Sequence, residues 1–152
     1  MDIKKDLIPV LDANNIGWTE IVCPRGKGLN LVIRHDSQMW NALLLYTDDE
    51  IMSIEILSDQ AVDPMHYYSV ITLMAPWLKR GRSYYWWVND EGYYYLRTGE
   101  RGRLADVNKI PEIITKMMDR FSAMDPFIYA LAHGKLSSVQ VLLELQGRNL
   151  VK

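Results

Sequence analysis

Residues 83–98 read SYYWWVNDEGYYYLRT, two aromatic runs on either side of a polar turn. Asn89-Asp90-Glu91-Gly92 supplies the turn, in which Gly92 suits a backbone position with positive φ. This pattern predicts a hairpin with strands Ser83–Val88 and Tyr93–Thr98. Successive side chains of a strand point to opposite faces, so both faces of the hairpin are aromatic. One face can pack against helices, and the other must meet a second layer, a ligand or a partner.

Upstream of the hairpin, the pattern predicts a helix and an antiparallel meander. The helix spans Asp63–Gly81, with Asp63 as its cap and Pro64 at its first position. A short helix over Leu7–Ala13, capped by Asp6, begins the chain. Alternating apolar residues between these helices predict four strands, at Trp18–Cys23, Leu29–His35, Asn41–Thr47 and Ile51–Leu57.

Downstream of the hairpin, the sequence is helical. Apolar residues recur at helical spacing over Ile110–Phe121, and two further helices are expected at Pro126–His133 and Ser137–Gln146, joined at Gly134. We therefore expect an α+β fold, in which the antiparallel meander and the hairpin form one sheet with helices packed on it. Residues 1–122 would form the α+β domain, and residues 123–152 a helical C-terminal extension packed on it as one structural unit.

Composition places the chain among globular proteins. Of its 152 residues, 49% are apolar and 24% are charged, a balance that excludes a disordered chain. The formal charge of −2 gives no overall attraction to nucleic acid or to an anionic membrane. The single cysteine, Cys23, fits a reducing compartment, and no apolar stretch approaches the roughly 20 residues that span a bilayer. We expect a cytoplasmic protein with no membrane partner.

No motif predicts catalysis, a metal site or a cofactor. His35, His66 and His133 lack zinc-ligand spacing. His35-Asp36-Ser37 contains the residue types of a nucleophilic triad, but neighbouring side chains of an extended segment point to opposite faces. Arg25-Gly26-Lys27-Gly28 lacks the spacing of a phosphate-binding loop, and a strand follows it. We therefore expect a protein that is not an enzyme. The alternative is an enzyme whose active site is assembled from distant residues, such as His35 or His66 with an acidic cluster.

Charge is distributed unevenly along the chain. Residues 48–63 hold six acidic and no basic side chains, which predicts a solvated acidic edge. Residues 79–103 hold six basic and three acidic side chains and flank the aromatic runs. Aromatic residues and arginine are enriched at protein interfaces. The sequence therefore predicts a protein partner, with Trp86 or Trp87 as an anchor together with Tyr85 and Tyr94, and with a rim of Arg82 and Arg97.

Three alternatives for the hairpin remain open at this stage. Aromatic and basic residues over 82–103 are also suited to stacking on and neutralising single-stranded nucleic acid, although the low net charge makes nucleic acid an unlikely partner. The C-terminal helices could instead cover both faces. The acidic meander and the basic hairpin could also pair across a two-fold axis, which would give a homodimer.

The element order resembles the type III secretion chaperone-like fold, in particular its bacterial sensory-transduction-regulator (YbjN-like) branch. The resemblance covers residues 1–122 and rests on the helix Asp63–Gly81, the hairpin Ser83–Thr98 and the helix Ile110–Phe121. The four strands predicted before the long helix depart from the family pattern, which has three. The resemblance implies a non-enzymatic, commonly dimeric protein that holds a segment of a client or acts as a regulator.

Residues 125–147 resemble a single ankyrin repeat. Pro126, Ala130 and Gly134 and the run Val139–Leu143 fall on matching positions, whereas Asp125 stands where the family has threonine. One repeat cannot bury its own apolar face. We therefore expect a helical hairpin that packs on the main domain.

Overall fold

The computed structural model describes residues 2–77, 84–98 and 106–150. The predicted α+β fold is confirmed: a six-stranded antiparallel sheet carries helices packed on it, with a helical C-terminal region. The helices are α1 (Ile3–Ala13), α2 (Tyr67–Met74), α3 (Ile110–Ala132) and α4 (Ser138–Gly147). The strands are β1 (Gly17–Cys23), β2 (Gly26–His35), β3 (Gln38–Tyr46), β4 (Ile51–Leu57), β5 (Tyr84–Val88) and β6 (Tyr94–Thr98).

The sheet has the order β1-β2-β3-β4-β6-β5. The four N-terminal strands form the predicted meander, and the aromatic hairpin joins it through its second strand. Glu55 of β4 lies opposite Arg97 of β6, and Leu57 lies opposite Tyr95. The first strand of the hairpin, β5, therefore forms one edge of the sheet and β1 forms the other.

The helices pack on one face of the sheet, which we call the covered face. Phe121 of α3 contacts Trp40 of β3 at a ring-centroid distance of 5.0 Å and Trp86 of β5 at 5.2 Å, so α3 crosses several strands. Trp18 of β1 donates its indole N–H to Asp12 of α1, which places α1 on the same side. The opposite face, which we call the open face, carries no helix of the described part of the chain.

Helix α1 begins four residues earlier than predicted. Asp2, and not Asp6, caps it by accepting a hydrogen bond from the Lys5 amide. Three residues at helical spacing, Ile3, Leu7 and Leu11, are fully buried and hold the longer helix against the sheet. This burial compensates for Pro9, which lies inside the helix and removes one backbone hydrogen bond.

Helix α3 replaces two predicted helices with one. It continues through Pro126, where the sequence predicts a new start, and the predicted boundary between residues 122 and 123 falls inside it. An internal proline costs about 3 kcal/mol, which is offset here because Phe121, Met124 and Ile128 form an unbroken buried stripe on either side of it.

The predicted helix boundaries at Asp63, Gly134 and Ser137 are confirmed. Asp63 accepts a hydrogen bond from the Met65 amide at the start of the short helical region that leads into α2. Gly134 adopts a φ of +73° after α3, and Ser137 then begins α4 with a capping box closed by Gln140. The predicted end of the second helix, at residues 78–81, lies outside the described residues. None of the helices in the described ranges is long and apolar enough to cross a membrane.

Candidate binding face

The aromatic hairpin divides its side chains between the two faces of the sheet. Strand alternation and the pairing of Trp86 with Leu96 place Trp86 and Tyr94 on the covered face. There Trp86 is 2% exposed and stacks on Phe121, while Tyr94 is 1% exposed. Trp86 and Tyr94, two of the predicted partner-binding anchors, are therefore buried beneath the helix α3 and are not exposed to a partner.

The hydroxyl group of Tyr94 is held inside the protein by a carboxylate. It donates a hydrogen bond to Asp125 of α3. Burial, and then the negative charge of Asp125, raise the pKa of Tyr94 far above its ordinary value. Burial also raises the pKa of Asp125, against the effect of the Tyr94 hydrogen bond. This contact joins β6 to α3 and makes Tyr94 a structural residue.

The open face carries the other aromatic residues of the hairpin. Tyr85 and Trp87 of β5 are half-buried and lie opposite Arg97 and Tyr95 of β6. The rings of Tyr85 and Tyr95 meet edge to face at 6.4 Å. Tyr95 is 8% exposed, and burial raises its pKa to about 12. Two of the four predicted aromatic anchors, Tyr85 and Trp87, thus remain within reach of a partner.

Two arginines and one buried glutamate form an ionic cluster beside these rings. The guanidinium of Arg25, in the turn between β1 and β2, grips Glu55 with two hydrogen bonds, of 2.9 and 3.4 Å. Arg97 approaches the same carboxylate with its Nε at 3.4 Å. The hydrogen bonds that Arg25 donates to Glu55 raise the pKa of Arg25. The carboxylate of Glu55 thus forms ion pairs with two guanidinium groups on the open face.

Sequence reasoning misses half of this site. Glu55 is 3% exposed, so the prediction of a solvated acidic edge is wrong at this position. The sequence places Arg25 only in a turn and does not single out Tyr95 as an anchor. Their proximity depends on the pairing of β4 with β6, for which local sequence carries no signal. The predicted rim residue Arg97 lies in the cluster, whereas Arg82 lies outside the described residues.

The triad-like residues at His35 do not have the geometry of a triad. The structure brings Ser122 of α3 to His35, with Oγ at 3.4 Å from Nε2. Asp36 and Asp119 approach that same nitrogen, at 3.4 and 3.9 Å. A serine nucleophile requires its carboxylate on the other ring nitrogen, where it fixes the tautomer. This arrangement therefore lacks the orientation needed for nucleophilic catalysis.

A metal site is also absent from the described part of the chain. Within these residues, no three histidine, cysteine or acidic side chains converge as metal ligands would. Among protein families, curated proteins and solved structures, none was found that matches this chain. The function is therefore argued from the open face itself.

Proposed function

We propose that this protein is a non-enzymatic binding module that holds a protein partner on the open face of its sheet. The observation that carries the proposal is that the half-buried rings of Tyr85 and Trp87 lie with Arg25 and Arg97 around the buried ring of Tyr95, on a face without a helix in the described ranges. Tyrosine, tryptophan and arginine supply most of the binding energy at protein interfaces.

The paired charges favour a protein over single-stranded nucleic acid. Affinity for a nucleic acid comes largely from cations that replace phosphate counterions. Around the open face, Arg25 and Arg97 share Glu55, and Lys27 is paired with Asp48. These three cations are therefore held by carboxylates of the protein itself, while the aromatic surface is unaffected by this pairing.

The resemblance to secretion chaperones and sensory regulators adds three points to the proposal. The partner would be a client or a regulatory target, the protein would work in the cytoplasm, and a second copy of the chain could take part. The four strands before α2 still depart from the family pattern.

Peptide selection tests the proposal directly, because it requires no named partner. The protein is immobilised, a random peptide library is displayed against it, and selected peptides are titrated by calorimetry. We expect Trp87→Ala and Tyr85→Ala to weaken binding by about 2 kcal/mol, or roughly thirtyfold, because truncated aromatic anchors at interface centres lose this much. Tyr68→Ala is the matched control, since Tyr68 is an 80% exposed tyrosine on α2, among the helices.

Two results would contradict the proposal. One is the selection of no peptide, and the other is binding that neither Trp87→Ala nor Tyr85→Ala weakens in a folded protein. A fluorescent oligothymidylate provides the competing measurement. Tight, salt-sensitive binding of this probe that requires Trp87 would replace the protein partner with single-stranded nucleic acid.

A further inference from the structure

A cleft opens on the ionic cluster at the end of the open face. Its volume is about 400 Å³, and Arg25, Lys27 and Arg97 line it together with the apolar side chains of Leu45 and Met52. The turn between β1 and β2 supplies Arg25, whereas Arg97 comes from the hairpin. The cleft therefore lies where the meander and the hairpin meet, next to the proposed binding surface.

Two of the three cations that line the cleft share a single carboxylate. Lys27 is paired with Asp48, and this pairing raises the pKa of Lys27 and lowers that of Asp48. Glu55 is the single carboxylate shared by Arg25 and Arg97. Among the described residues, the ion-pair contacts at the cleft thus join three cations to two carboxylates.

The two arginines hold Glu55 unequally. Arg25 uses the two-pronged geometry that is typical of strong arginine–carboxylate pairs. Arg97 makes a single, longer contact through Nε; its side chain is 27% exposed, against 46% for that of Arg25, so the contact geometry and not exposure distinguishes the two. Arg97 is therefore the guanidinium that a second carboxylate can bind without displacing Arg25 from Glu55.

We propose that this cleft binds the side-chain carboxylate of an aspartate or glutamate in the partner segment. The inference rests on the proposed function and specifies its partner as an acidic peptide. One guanidinium that only shares a carboxylate suits a singly charged carboxylate better than a phosphate dianion. The hydrogen-bond donors of the cleft are side-chain guanidinium groups, whereas a chain-terminal carboxylate is typically bound by a nest of backbone amides. We therefore expect the carboxylate to be that of a side chain. Tyr85 lies directly opposite Arg97, so the same segment would contact both residues.

Matched peptides test this inference. Each selected peptide is made with an amidated C-terminus, and its acidic residue is exchanged for glutamine or asparagine. We expect the exchange to weaken binding by about tenfold, since a charge-assisted hydrogen bond contributes about 1.5–3 kcal/mol. Arg97→Gln should cause a similar loss and should abolish the difference between the acidic and the amide peptide. Arg34→Gln, which removes an exposed arginine at the far end of the same face, is the control and should have no effect.

A second variant acts in the opposite direction. Glu55→Gln preserves the shape of the internal carboxylate but frees both arginines, so it should tighten binding of the acidic peptide several-fold and leave the amide peptide unchanged. Peptides that require Trp87 yet bind equally as acid and amide would overturn the inference and leave the proposed function standing. The same follows if only peptides with a free C-terminus bind, or if Arg34→Gln is as damaging as Arg97→Gln. Failure to select any peptide would overturn both.

Discussion

The two faces of the β5–β6 hairpin are built from the same residue types and have different roles. On the covered face, Trp86 and Tyr94 stack around Phe121 and close the core. On the open face, Tyr85 and Trp87 are only half-buried: Tyr85 lies opposite Arg97 of the ionic cluster, and Trp87 lies opposite Tyr95 and also packs against the edge of the core. Register, and not residue type, therefore decides which aromatic side chain is structural and which is available to a partner.

The greatest loss of stability is expected on the covered face. Trp86→Ala should lower the free energy of unfolding by about 3–5 kcal/mol, because it leaves a cavity against Phe121. Chemical denaturation followed by circular dichroism measures the change. Trp86→Phe is the control: it keeps a ring on Phe121 and removes an indole N–H that has no partner among the described residues, so it should cost less than about 1.5 kcal/mol. A loss below about 1.5 kcal/mol in Trp86→Ala, on that same scale, would show that the core face is misassigned.

An intermediate effect is expected from alkaline titration, which involves both faces. The pKa values of Tyr94 and Tyr95 are raised by burial, that of Tyr95 to about 12. A raised pKa stabilises the folded protein below the unfolded value of about 10, and this stability is lost as pH rises above it. Each tyrosine should therefore reduce the free energy of unfolding by about 1.4 kcal/mol per pH unit above about pH 10.

The two tyrosines are separated by substitution. In Tyr94→Phe, the remaining loss from Tyr95 should level off near pH 12, whereas in Tyr95→Phe the loss from Tyr94 should continue beyond that pH. Denaturation at a series of pH values measures both slopes. Identical slopes in the two variants and the parent protein would contradict the assignment of different burial to the two faces.

The smallest stability effect is expected on the open face. Tyr85→Ala should lower the free energy of unfolding by about 1 kcal/mol, since it removes a half-buried ring and one edge-to-face contact with Tyr95. Its effect on peptide affinity should be larger than its effect on stability. A cost comparable to that of Trp86→Ala would mean that Tyr85 is a core residue, which would weaken the proposed function.

Much of the fold could be predicted because its signals are local. Turn residues at 89–92 and alternating apolar side chains locate the strands, and Asp63 and Gly134 mark helix ends as expected. The continuity of α3 through Pro126 could not be predicted, since it depends on how well the flanking residues pack against the sheet.

The candidate site was less predictable than the fold. Alternation separates Tyr85 from Trp86 but does not say which of them faces the helices. Arg25, Glu55 and Arg97 come together only if β6 pairs with β4. The paired residues of these two strands lie about forty positions apart in sequence. Such long-range pairing is decided by the packing of the whole sheet and leaves no mark in the local pattern.

The covered face of the hairpin belongs to the core, and we propose that its open face binds the partner. The indole N–H signals of the five tryptophans report on both faces. Isotope-labelled protein is titrated with a selected acidic peptide, and the indole resonances are recorded by NMR. We predict that the Trp87 signal shifts on binding, while the signals of Trp40 and Trp86, which surround Phe121, stay in place. A titration in which Trp87 is unperturbed, or in which Trp86 shifts as strongly, would contradict this division.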